Sequence, residues 1–157
     1  MKAITILRRC RDANEEIDRL DVSIRQKADI LTNIAAPQGD PNGGGRTQGA
    51  GDKVVRVMAD KIDLERRKKD REEALMVELA AASALLDMVP SLESRILHRY
   101  YVQRKSLAVI ARELNYQSGY TKRKKREGER ILDLLSPERV REVLPVWYIK
   151  KYGGEKE

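Results

Sequence analysis

Residues 120–130, Tyr-Thr-Lys-Arg-Lys-Lys-Arg-Glu-Gly-Glu-Arg, hold six cations: Lys122, Arg123, Lys124, Lys125, Arg126 and Arg130. Ammonium and guanidinium groups at this density do little acid–base chemistry near neutral pH. Both donate hydrogen bonds to phosphate oxygens, and the planar guanidinium fork also matches the acceptor edge of guanine. The surrounding charge fits that use. The chain carries a formal net charge of +7, yet residues 95–130 alone hold eleven Lys/Arg against three Glu, a net +8. The excess therefore lies within 36 of the 157 residues, which is the electrostatic footprint of a polyanion site. A solvated helix face or an anionic-membrane patch would share the charge. A membrane-surface helix, however, needs bulky apolar residues opposite its cations, and Tyr120 to Arg130 supplies almost none. Nucleic acid is the expected partner and a membrane is not.

Other chemistries are poorly served. Cys10 and His98 are the sole residues of their types, too few for a four-ligand Cys/His zinc site, and Cys10 lies on an apolar helix face where a core thiol is expected. No paired carboxylates or nucleophile–base sets stand out, so neither an enzyme nor a bound cofactor is expected. Gly44 and Gly49 stand at P-loop spacing, but Ala50 follows where a lysine is required and no strand precedes them. The start, MKAITILRRC, lacks a long apolar h-region and no apolar run reaches membrane-spanning length, so a cytoplasmic location is expected.

The elements that must position the basic run are helical. Ala3, Cys10, Ile17, Ile24 and Leu31 recur every seven residues, interleaved by Ile6, Ala13, Leu20, Lys27 and Ile34, which predicts a long helix from about residue 3 to 34 with one coiled-coil seam. Residues 35–51 contain six Gly and two Pro and read as a connector. A second helix is predicted from Asp52, its N-cap, to about Met88. Folding the two antiparallel pairs positions whose numbers sum to about 86, which sets Glu15 against Arg71 and Asp18 against Lys68. A seam completed by a second subunit, giving a homo-oligomer, is the alternative.

After Pro90, Ile96, Leu97 and Tyr100 are spaced for one buried face. Ser106 caps a short helix, LAVIAREL, with Ile110, Ala111 and Leu114 inward; Asn115-Tyr116-Gln117 turns; and Ser118 caps a helix carrying the basic run. That is a helix-turn-helix pattern. The tail begins a short helix at Ser136-Pro137, and Pro145 ends it; the apolar 146–152 segment, with Trp147, Tyr148 and Tyr152, either packs back on this domain or meets a partner. The expected architecture is all-α, with an α-hairpin over 1–89, a helix-turn-helix domain over 90–135 and a short helix and aromatic tail over 136–157.

"SRILHRYYVQRKSLAVIARELNY" resembles the fourth region of sigma factors, and "LNYQSGYTKRKK" resembles the RinA/ArpU-type late transcription regulators of phages. The order of heptad helix, Gly/Pro linker, "KIDLERRKKD" helix and sigma-like motif extends the resemblance over roughly residues 5–132. It implies a promoter-binding regulator in a bacterial host, with double-stranded DNA and RNA polymerase as partners and Ser118, Gly119, Tyr120, Lys122, Arg123 and Arg126 facing DNA. On this reading Lys122, Arg123 and Arg126 reach base edges. Lys105, Arg112, Lys124, Lys125 and Arg130 hold phosphates, with Ser106 beside them at the helix cap. Thr121 stands where an inward Val is usual and Gly128 where a small Ala is usual, so a weakly anchored recognition helix is expected. A helical DNA-packaging protein of the small-terminase kind, which also joins a helix-turn-helix to coiled-coil helices, is the alternative function.

Overall fold

In a computed structural model of the chain, residues 1–35 and 49–153 are described, and their regular elements are all helices, with no strand among them. The connector expected over 35–51 falls mainly on residues 36–48, outside the described residues. The elements are α1 (Ala3–Ala35), α2 (Gly49–Leu86), α3 (Ser91–Leu97) running into a π-helical turn (His98–Val102), α4 (Leu107–Glu113), α5 (Ser118–Asp133), α6 (Pro137–Val143) and α7 (Val146–Tyr152). No described helix is long and apolar enough to cross a membrane. Helix α2 starts three residues before Asp52, which lies in its first turn.

The chain divides into two compact units. One comprises Met1–Asn14 with Glu73–Glu157, the other Glu15–Glu72. In the first, the ends of both long helices share a core with the C-terminal helices. Ile6, Leu7 and Cys10 of α1, Ala81, Ala82 and Leu85 of α2, Leu97, Tyr101, Leu132, Val140 and Tyr148 belong to one buried cluster. Polar groups at its border are satisfied. Arg11 Nη1 and Asn14 Nδ2 donate to the carbonyls of Tyr100 and Val102, at 3.4 and 3.3 Å, where the π turn runs out of helical donors. Cys10 is fully buried, and burial, with the Glu78 charge adding to it, pushes its thiol up to about 12. The thiol is protonated, an inert small apolar group.

The tail packs back on this unit in part. Tyr148 is buried and its hydroxyl donates to Glu78 Oε2 at 2.6 Å, so burial and then the Glu78 bond raise its pKa above the usual tyrosine range. Val146 and Trp147 remain exposed. The fully buried ring at 148 explains why a short seven-residue helix is held at all.

In the second unit the two long helices run antiparallel, tied by Glu16–Arg71, Asp21–Lys68 and Lys27–Asp60. Their numbers sum to 87–89, close to the expected 86: Arg71 reaches Glu16, next to Glu15, and Lys68 reaches Asp21, one turn beyond Asp18. Carboxylates three or four residues apart share a helix face, so a small slip of register exchanges one for the next. Lys27, the polar exception in the heptad seam, sits there because Asp60 of α2 accepts from it at 3.1 Å.

Candidate nucleic-acid interface

The basic run lies on α5, whose seating begins one helix earlier. Ser106 accepts from Val109 N at 3.3 Å and caps α4, as its position predicted. At the far end of α4, Asn115 N donates to Arg112 O and Tyr116 N to Ala111 O, with Asn115 at φ 58°. This pair of bonds closes the helix with a left-handed residue, a role asparagine fills at lower cost than most side chains. The chain then enters α5 with Gln117 at the N-cap, its side chain making no capping bond; Ser118, the expected cap, is the first helical residue.

The inner face of α5 is better seated than its composition suggested. Thr121 is fully buried, and its hydroxyl donates to Gln117 O at 3.1 Å, so the polar atom costs little. Gly128 is buried where α3 crosses: a Cβ there would stand 2.9 Å from Leu97 Cδ1 and 3.1 Å from Glu93 Cβ. The weak anchoring expected from these two residues is therefore corrected. Gly128 loses helix propensity but admits an approach that an added methyl would obstruct.

The lysines in the middle of the run turn inward too. Lys124 Nζ lies 3.0 Å from Glu93 Oε1 and 2.6 Å from Glu127 Oε2, and these bonds lift its pKa above the ordinary lysine range. Lys125 Nζ lies 2.6 Å from Glu129 Oε1 and 4.3 Å from the centre of the Tyr100 ring. Glu129 also accepts from the Tyr101 hydroxyl, whose pKa burial, and then this bond, raises. Two of the residues assigned to phosphate thus brace α5 against α3 and the π turn. Lys105 is similarly engaged, 2.6 Å from Glu113, whose carboxylate also meets Arg99; the Lys105 bond comes first among the causes that hold Glu113 below its usual range.

What faces outward is a smaller and more uniform set. Ser118, Gly119, Lys122, Arg123, Arg126 and Arg130 are all exposed, and their spacing puts them on one side of α5; Arg112 is exposed on α4. Tyr120 is half-buried at the edge of that face, its ring 5.1 Å from Tyr116 and beneath the Arg123 guanidinium at 5.2 Å. The split between bracing and outward cations was missed in the sequence, although Glu127 and Glu129, three and four residues after Lys124 and Lys125, were its signal.

A cleft of about 510 Å³ lined by Leu86, Asp87, Arg95, His98, Arg99 and neighbours shares none of the outward residues, and no metal-holding group of three or more His, Cys, Asp or Glu occurs among the described residues. Compared with family models, curated proteins and solved structures, the chain finds no match.

Proposed function

We infer that the chain is a regulator of transcription that binds duplex DNA through the outer face of α5, the class its sequence resembles. The observation that carries this reading is the sorting of charge on one helix. Glu127 and Glu129 are drawn toward Lys124 and Lys125, while Lys122, Arg123, Arg126 and Arg130 project to solvent. Positions 122 to 130 span about 12 Å of helix, a length the major groove accommodates. Arg123 and Arg126 are assigned to base edges; Arg112 and Arg130 to phosphates. Lys124 and Lys125 contribute to the field more than to direct contact. RNA polymerase is a further partner on the strength of the sigma-like motif.

The test is binding of the full chain to a selected site and to scrambled duplex at several salt concentrations. The full chain is needed because Met1–Asn14 belongs to the same core as α3 to α7. Affinity is expected to fall with salt at a log–log slope of about −4 to −5. Arg123→Ala and Arg126→Ala should each cost about 1–3 kcal/mol on the selected site and little on scrambled DNA, whereas Arg112→Ala should weaken both alike. Salt-independent binding, or none, overturns the reading; equal losses on both DNAs for Arg123 and Arg126 reduce α5 to a non-specific clamp.

A further inference from the structure

Large aromatic side chains with an exposed ring are few in this chain, and Tyr116 stands in the turn that leads into α5 with 43% of its surface exposed. Its backbone is fixed by the bond from Tyr116 N to Ala111 O, 2.9 Å, behind the left-handed Asn115. One side of its ring rests against Tyr120, and Tyr120 in turn carries the Arg123 guanidinium. The three side chains form a graded stack, Tyr116 to Tyr120 to Arg123, along one edge of the outward basic face.

A tyrosine in a tight turn beside six cations gains nothing from exposure in terms of stability, since burial of its ring would be favourable. Its placement does fit the chemistry of a groove floor. Arginine addresses the acceptor edge of guanine, while the 5-methyl group of thymine is the apolar feature the major groove displays. Resting on the proposed DNA interface, we propose that Tyr116 is a specificity-determining residue that makes apolar contact with a thymine methyl beside the base read by Arg123. Tyr120 backs both neighbours and fixes their spacing. Stacking on an unpaired base is the competing use of an exposed aromatic ring. A single helix presenting Lys122, Arg123, Arg126 and Arg130 on one side fits a duplex groove better than the path of a single strand.

The experiment replaces each thymine of the selected duplex singly by deoxyuridine, which removes the methyl group alone. With the unaltered protein one position should weaken about fourfold, the value of one buried methyl-sized group. Tyr116→Ala should bind the thymine and deoxyuridine forms of that position equally, and Tyr116→Phe should retain the preference because the hydroxyl is not used. Tyr116→Gln, which keeps a long stem over Tyr120, should lose the preference as Tyr116→Ala does; thermal melting of each variant confirms an intact fold. Undiminished methyl sensitivity in Tyr116→Ala and Tyr116→Gln, equal losses on selected and scrambled DNA, or tighter binding to single-stranded than to duplex DNA overturns the thymine contact while leaving a DNA interface. Absence of any duplex binding by the unaltered protein overturns the interface and the contact together.

Discussion

The seam of α1 passes through two regions that use the same repeat differently. Within Met1–Asn14, Ala3, Ile6, Cys10 and Ala13 are buried, joined by Ile4 and Leu7 from outside the strict heptad. From Glu15 onward, Ile17, Leu20, Ile24, Leu31 and Ile34 are half-buried; on the α2 side of that unit Val57 is buried while Val55, Met58 and Ile62 are exposed. Two helices alone cover one side of each other's seam and leave the rest to solvent. A third layer closes the core, and in the first unit α3 to α7 supply it. Hydrophobic periodicity thus marks which face can be buried, and the number of neighbouring layers decides how completely it is.

The strongest way to break this contrast is to remove matched bulk from each region. Leu85→Ala, at a fully buried site, should lower stability by about 2–5 kcal/mol, through lost transfer energy and the cavity left behind. Ile24→Ala, at a half-buried seam position, should cost about 1 kcal/mol. Urea unfolding midpoints measure both, and equal losses would mean that the outer seam is as closed as the core.

An intermediate effect sharpens the comparison through pH. Burial pushes the Glu93 carboxyl up, but the hydrogen bond from Lys124, a backbone bond and the Lys124 charge together hold it below the usual glutamate range. A carboxyl depressed in the folded state contributes stability above its unfolded pKa, and that contribution is lost as pH falls through the folded value. Glu93→Gln should therefore lower the midpoint near neutrality and reduce the further fall between about pH 5 and pH 3, relative to the unaltered chain. An unchanged acid limb in Glu93→Gln would show that the Lys124 bond does not hold the α3–α5 crossing.

The smallest effect belongs to the outer unit's surface charges. Asp21→Lys should lower its melting temperature slightly, and adding Lys68→Glu should restore part of the loss, since the two groups are 2.7 Å apart. Exposed pairs contribute little, so restoration in the double variant is the informative outcome. Hydrogen exchange over 15–35 and 53–72 reads it locally; additive losses would place the register elsewhere.

Much of the architecture was legible in the residues because helix signals are local. The heptads of α1, the caps at Ser106 and Ser136, the break at Pro145 and the asparagine turn at 115 each act within a few residues, and each appears where expected. The candidate site was legible as a basic run on a helix, since net charge over a window requires no knowledge of direction. Which cations face which way was less legible. Lys122 and Lys124 are two residues apart and alike in composition; the crossing of α3 at Gly128, with Glu93 beside it, adds to Glu127 in assigning Lys124 to carboxylates and leaving Lys122 to solvent.

By itself, then, the sequence determined an all-helical chain, an antiparallel pair of long helices and a concentrated positive charge near residue 124, because propensity, periodicity and charge are carried by neighbouring residues. Tertiary structure alone decided that the start of α1 and the end of α2 join the core of the short helices, that Tyr148 is buried while Trp147 beside it is exposed, and that Gly128 seats α5 closely. Those outcomes depend on contacts between residues far apart in the chain, such as Arg11 with Tyr100 and Arg9 with Tyr152. Partners at that separation leave no pattern within either segment, since each segment's spacing is compatible with many neighbours until one docks against it.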